Sequence, residues 1–192
     1  MQTSPTLRTL RAEDADDVLA GFLADEQMEH QGEVTDLDSA RAYIDFLTSA
    51  EQGNVGFAVQ IGARCAGVVG INGADLHRLG WFFYWMHPDF RGQGLTSRAA
   101  ATMAAWALST GGFERLELGH RVNNPASARV AAAAGFVQEG LERKKLIADG
   151  IRVDVLTYGR LSTDPAPQTP LLGPPEHHGT MGHHRITGGT VG

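Results

Sequence analysis

Cysteine is nearly absent. The one thiol, Cys65, cannot close an intrachain disulfide, so no disulfide framework holds this chain, and a reducing compartment suits it. We expect Cys65 to be a small buried hydrophobe within a strand. No apolar run approaches the length of a membrane span, and Met1 to Leu10 lacks the apolar core of a secretion signal. These absences predict a cytoplasmic protein with no membrane partner. Positive charge is also short. The 16 Lys and Arg against 22 Asp and Glu leave a formal charge of −6, which argues against a nucleic-acid partner. Hydrophobic content is nonetheless ordinary at 42%, and 192 residues suffice for one domain with its own core.

What is present is best read from one stretch. Trp81 to Met86 is bulky and nearly unbroken, the pattern of a buried strand, and Pro88 stops it. Arg91 to Gly94 then turns on two glycines. Leu95, Ala99, Met103 and Trp106 repeat at three to four residues, one face of a helix. The unit is strand, glycine turn, helix. Its amides from Gly92 to Ser97 face outward at a helix N-terminus, where an anion such as a phosphate is favoured. A Walker turn is excluded because the stretch has no lysine. A dinucleotide fingerprint is excluded because Ser97 stands where its third glycine belongs.

Before this unit, Thr6 to Leu10 reads as a first strand. Glu13 to Asp25 reads as a helix with Val18, Leu19, Phe22 and Leu23 inward. A second helix starts near Thr35, with Asp38 in a capping-box position and Leu37, Ile44 and Leu47 inward. Residues 13 to 51 carry twelve acidic side chains against the single basic Arg41. They read both as solvated helix faces and as an acidic rim able to attract a cationic amine. Val55 to Ile61 and Ala66 to Ile71 form a strand pair turning at Gly62-Ala63-Arg64. Asn72 to Leu79 is a loop.

After the unit, Arg115 to Leu118 is a strand, followed by a connection from Gly119 to Asn123. Asn124-Pro125 starts a short helix, Asn as cap and Pro in the first turn, and Gly135 ends it. Phe136 to Ala148 and Ile151 to Leu161 pair around Asp149-Gly150. From residue 162 the composition shifts to five prolines, six glycines and half of the histidines, a tail that builds no core of its own. His177-His178 and His183-His184 match no standard metal spacing.

Two motifs now stand in order. Arg91-x-x-Gly94-x-Thr96, after a strand ending in His87-Pro88-Asp89-Phe90, resembles the acyl-CoA pyrophosphate loop of the GCN5-related N-acetyltransferase superfamily, although Thr96 replaces its final Gly or Ala. Asn124-Pro125-Ala126-Ser127, then Val130, then Gly135-Phe136 is similar to its second motif, one strand and one helix further on. The ending from Glu139-Gly140 to Asp154 and Tyr158 resembles the Rim-type branch, which includes ribosomal-protein N-terminal acetyltransferases. The resemblance spans residues 5 to 161.

It implies an α/β fold with a mixed, mostly antiparallel twisted sheet flanked by helices: an acetyltransferase domain over 1–161 and an irregular tail over 162–192. It further implies acetyl-CoA as acyl donor, no metal, and transfer of an acetyl group to a primary amine by direct attack in a ternary complex. The central strand and the next would splay to admit the pantetheine arm. A backbone amide at Trp85 or Met86 would polarise the thioester carbonyl. Arg91, Gly92, Gln93, Gly94, Leu95, Thr96 and Ser97 would hold the pyrophosphate. Asn124 would cap its helix, contact the donor, or do both.

Many members carry a tyrosine at the place of Ala131, so that route of protonating the leaving thiolate is closed. Ser127 stands where the Rim-type branch has a serine proposed as the acid. The same place would let it contact the cofactor, and it also reads as a helix residue bonding locally. An α-amino acceptor, with a pKa of about 8, needs little help to attack, whereas a lysine-type amine near 10.4 needs a base. Glu117 and His120 are the candidates, directly or through water. His87 closes its strand. The acceptor is a peptide or protein N-terminus or a small cationic amine. The sequence permits a homodimer, and Trp81, Phe83 and Trp85 are candidates to narrow an acyl channel. One alternative is a non-catalytic acyl-CoA sensor, which the missing tyrosine allows. The other is a nucleotide-binding protein using the same turn, against which the Asn124 to Phe136 motif speaks.

Overall fold

The computed structural model describes residues 4–73, 77–148, 150–173 and 175. Seven strands form one sheet: β1 (Thr6–Thr9), β2 (Val55–Ile61), β3 (Arg64–Asn72), β4 (Leu79–Met86), β5 (Arg115–Arg121), β6 (Val137–Ala148) and β7 (Ile151–Leu161). Their order is β1-β2-β3-β4-β5-β7-β6. Every pairing is antiparallel except β4 with β5. Four helices flank it: α1 (Ala15–Leu23), α2 (Leu37–Leu47), α3 (Leu95–Ala107) and α4 (Pro125–Ala133). No described helix is long and apolar enough to cross a membrane.

The sheet separates two hydrophobic clusters. On one face Ala15, Val18 and Phe22 of α1 and Ala40, Ile44 and Leu47 of α2 bury against Ala58, Cys65, Val68 and Trp85. On the other, Ala99, Ala100, Met103 and Ala107 of α3 and Val130 and Ala131 of α4 bury against Phe57, Val69, Ile71, Phe82, Leu116 and Leu118. The alanines matter: short side chains let α3 lie close on strands already crowded with aromatics. At the sheet's first edge, Arg8 and Asp14 form a buried ion pair at 2.6 Å, and Arg8 also donates to Gln60.

Several boundaries differ from the sequence reading. The first helix splits into a 3₁₀ turn (Ala12–Asp14) and α1, ending at Leu23, which is exposed rather than inward because the chain turns away there. The capping box at α2 uses Asp36 and Ser39, not Thr35 and Asp38: the Ser39 amide donates to Asp36 at 2.8 Å. Strand β5 continues to Arg121 because β7 pairs with it along its whole length, so Glu117 and His120 lie inside a strand. Trp81, expected within a buried strand, is 46% exposed.

The segment after β7 runs along α3 and α4. The Thr169 hydroxyl donates to the Ala133 carbonyl (2.6 Å), the Leu172 amide to Thr102 Oγ1 (2.8 Å), and Arg98 Nε to the Pro170 carbonyl (3.3 Å). Leu172 is buried in the larger cluster. The four tail histidines lie outside the described residues.

Candidate active site

The site begins where two strands part. The parallel ladder of β4 and β5 consists of Leu79–Arg115, Gly80–Leu116 and Trp81–Glu117, and stops there. Beyond it β4 stays paired with β3, and β5 with β7, so a cleft opens between them. The amide of His87 donates to Ala66 on β3 at 2.9 Å. Strand amides alternate in direction, so that of Trp85 also points to β3, while that of Met86 points into the cleft. Of the two expected donors, only Met86 is on the open side.

Pro88–Phe90 form a 3₁₀ turn, its start fixed by His87 Nδ1 accepting from the Asp89 amide (3.2 Å). His87 therefore closes the strand, as expected. The chain reverses through Gly92 (φ 76°) and Gly94 (φ 71°), and Gly94 caps α3. A side chain at either glycine would meet nothing within 4 Å. The glycines are demanded by backbone angle, and the space above them is open. Gln93 is exposed, Thr96 and Ser97 are half-buried in the first turn of α3, and Leu95 is buried beneath them.

The Arg91 side chain is engaged elsewhere. Its Nε donates to the Met86 carbonyl (2.9 Å), and its Nη2 meets Asp25 at 2.7 Å. It thereby ties the turn to the end of β4 and to the segment after α1. Burial pushes the Asp25 carboxyl up, but the Gln27 amide and Arg91 together outweigh it and hold Asp25 below the ordinary carboxylate value. Two residues on, Gln27 accepts from Arg121 at the far end of β5 (3.0 Å). The 3₁₀ turn Glu26–His30 thus bridges the two sides of the cleft.

Asn124 caps α4 by accepting from the Ser127 amide (3.0 Å). Its Oδ1 serves the helix. The Ser127 carbonyl accepts from the Tyr84 hydroxyl (3.2 Å), which joins α4 to β4 across the cleft. Burial pushes the Tyr84 hydroxyl up to about 12, the Ser127 bond partly opposing this, so it is a proton donor at any physiological pH.

Glu117 and His120 separate. Along β5, Leu116, Leu118 and His120 are buried toward α3 and α4, while Glu117, Gly119 and Arg121 alternate to the other face. Arg115 Nε binds Glu117 at 2.7 Å and also engages Glu139 through Nη2. His120 is buried with both ring nitrogens engaged. Nδ1 donates to the Arg121 carbonyl (2.9 Å), which leaves Nε2 to accept from the Tyr158 hydroxyl (3.0 Å). Tyr158 stacks on the ring, and burial raises its pKa. Sequence reasoning did not give Tyr84 or Tyr158 a part in the site. Tyr84 is hidden in an aromatic run, and only the register of β5 on β7 brings Tyr158 to His120.

A family model for the acetyltransferase (GNAT) domain matches residues 6–137. The chain belongs to that family. It is 29% identical over 96 residues to the ribosomal-protein-serine acetyltransferase of Escherichia coli (strain K12), covering 50% of this chain and 54% of that one. It is 26% identical over 104 residues to a putative ribosomal N-acetyltransferase, YdaF, of Bacillus subtilis (strain 168), covering 54% and 56%. The match spans about half the length of these curated relatives. Among solved structures, a RimL ribosomal L7/L12 α-N-protein acetyltransferase in complex with coenzyme A superposes with a TM-score of 0.75 at 22% identity, over 83% of this chain and 94% of that one.

Among the described residues, no group of three His, Cys, Asp or Glu is arranged to hold a metal ion.

Proposed function

We propose that this protein transfers an acetyl group from acetyl-CoA to a primary amine by direct attack in a ternary complex, within a domain over 1–161. The observation that carries the reading is the cleft: a ladder that stops at Trp81–Glu117, with the Met86 amide aimed into the opening and a glycine turn at the head of α3 beside it. The donor enters from the α3/α4 side. Amides from Gly92 to Ser97 hold its pyrophosphate, and the open space over Gly92 and Gly94 lets the phosphates reach the backbone. Arg91 shapes the turn rather than serving as the main phosphate ligand, since its guanidinium is already shared by Met86 and Asp25. Asn124 and Ser127 border the pantetheine arm.

The acetyl carbonyl accepts from the Met86 amide, a fixed donor that strengthens as negative charge develops on the oxygen. The amine nitrogen bonds to the carbonyl carbon, and the carbon–sulfur bond breaks. The amine's proton passes through water to Glu117, and the Ser127 hydroxyl protonates the thiolate and takes a proton back from solvent. Glu117 suits the amine because it lies on the face away from α3 and α4. His120 takes a different part: on the donor face, with both nitrogens occupied, it orients Tyr158. The acceptor is cationic, a peptide N-terminus or a small amine. Pairing neutralises four of the twelve acidic side chains of that segment: Asp14 with Arg8, Asp17 with Arg64, Asp25 with Arg91 and Asp38 with Arg41. Glu26 and Glu33 remain, with Glu29 beside His30, around an opening lined by Phe22 and Val34, next to the bridge over the cleft.

Ala131 is the observation that favours a sensor without turnover, because the helix lacks the family's tyrosine. Thiol release from acetyl-CoA across N-terminal peptides, polyamines and aminoglycosides tests the proposal, with thermal protection by acetyl-CoA alongside. Turnover with one acceptor class establishes the enzyme. Protection without turnover on any amine favours the sensor, and no protection refutes the donor site.

A further inference from the structure

The three odd-numbered aromatics of β4 share the face that α1 and α2 cover, yet they meet different fates. The Trp85 indole packs on Phe22 and donates to the Tyr43 hydroxyl (3.2 Å), and Phe83 packs over Gly70 against the same cluster. Trp81 lies beyond the reach of α1 and α2 and is 46% exposed. Its indole lies beside Gly119 of β5: a side chain at Gly119 would meet Trp81 Cη2 at 3.3 Å. A side chain larger than hydrogen there would crowd the ring. Trp81 also forms the last rung of the ladder, opposite Glu117, so ring and carboxylate share a face at the closed end of the cleft, where β4 and β5 begin to part. Arg121, two residues past Gly119 on that face, is held by Gln27 from the bridging turn.

Single exposed aromatics are common and mean little alone. This one differs in its surroundings. An indole offers the strongest aromatic attraction for an ammonium group. The neighbouring Arg115 guanidinium is shared by two carboxylates, Glu117 and Glu139, so the cluster directly beside the ring holds one carboxylate more than its guanidinium neutralises, and Arg121 lies further along the strand. Nothing about Trp81 fits an acyl channel, because it faces away from the side that carries the glycine turn and α4.

We propose that Trp81 is the acceptor platform: its exposed indole seats the cationic group of the incoming amine beside Glu117 and thereby selects positively charged acceptors. The proposal rests on the acetyltransferase reading and adds the residue that sets its acceptor class. The test compares kcat/KM for a straight-chain aliphatic diamine and for the amino alcohol of the same length, in wild type and in Trp81→Leu. The expected result is a fall of roughly tenfold in the preference for the diamine, carried by KM. Trp81→Phe should retain part of the preference, and acetyl-CoA should protect all three proteins equally against heat. Equal loss for both acceptors would overturn the platform alone. Loss of acetyl-CoA protection in Trp81→Leu would return Trp81 to the donor side and overturn it as well. Absence of turnover with any amine in wild type would overturn the acetyltransferase reading, and the platform with it.

Discussion

Replacing Leu172 with Ala tests whether the segment beyond β7 is part of the domain. Leu172 is 6% exposed, inside the cluster beneath α3 and α4, although it sits in a proline-rich stretch. Burying a leucine side chain contributes about 1.5–3 kcal/mol. In a continuous core a residual cavity would add to the loss. Here the segment is held otherwise by the Thr169, Leu172 and Arg98 hydrogen bonds, so it can lift away instead of leaving a void. The loss is therefore capped by the docking free energy of the segment, and we expect about 2 kcal/mol. For a chain of this size that is a fall in Tm of about 4–8 °C. The assay is a thermal melt by circular dichroism, with limited proteolysis of the 162–173 segment as a second readout. Leu171→Ala is the control: Leu171 is 49% exposed, and its loss should stay within about 0.5 kcal/mol. If Leu172→Ala melts within about 1 °C of wild type and the segment is cut no faster, Leu172 does not belong to the core and the reasoning fails.

Three further outcomes follow from the site. Gly94→Ala meets no atom, so its whole cost is the left-handed backbone, about 1–2 kcal/mol. The variant escapes that cost by letting the free turn leave the left-handed angle. Re-forming it around the donor should appear in isothermal titration as weaker acetyl-CoA binding, and unchanged affinity would show that the turn does not hold the donor. Ser127→Ala should lower kcat by about 10²–10⁴ while acetyl-CoA protection persists, because the Asn124 cap uses the Ser127 amide and not its hydroxyl. A kcat within twofold of wild type would remove Ser127 as the acid. At alkaline pH, burial pushes both the Cys65 thiol and the Tyr84 hydroxyl up to about 12. Folding favours the neutral form of each, so their contribution is complete below the ordinary values and is lost as pH rises from about 9 toward 12. Tm should decline over that window, less steeply in a Cys65→Ala, Tyr84→Phe double variant, and identical slopes would contradict the assignment.

Much of this fold was legible because local chemistry and tertiary structure agree. Asn124-Pro125 can begin a helix and do little else, and Gly150 takes the positive φ that a tight turn before β7 calls for. The glycine turn was legible for the same reason: Gly92 and Gly94 both take positive φ. What escaped depended on distant partners. The extent of β5 is set by β7, thirty-odd residues later, so a polar Gly119-His120-Arg121 read as a loop. Leu172 stands among prolines with no periodicity to announce burial. Its pocket is made by α3, seventy residues away.

The least legible feature decides the site. A strand packed on both faces carries no alternation, so Trp81 to Met86 cannot say which aromatic faces which side. The missing information lies in β5, where Leu116, Glu117, Leu118 and Gly119 alternate plainly and, through the Trp81–Glu117 rung, assign a face to every residue of β4. Once that rung is placed, Glu117 and Trp81 stand on one side and His120, Tyr158 and Tyr84 on the other. The two base candidates that looked equivalent at the end of one strand then lie on opposite faces of the sheet. In the proposed reaction the amine adds to the acetyl carbonyl from one side of the sheet and the thiol departs along the donor's path on the other. A sheet parted between β4 and β5 would thus give each event its own set of side chains.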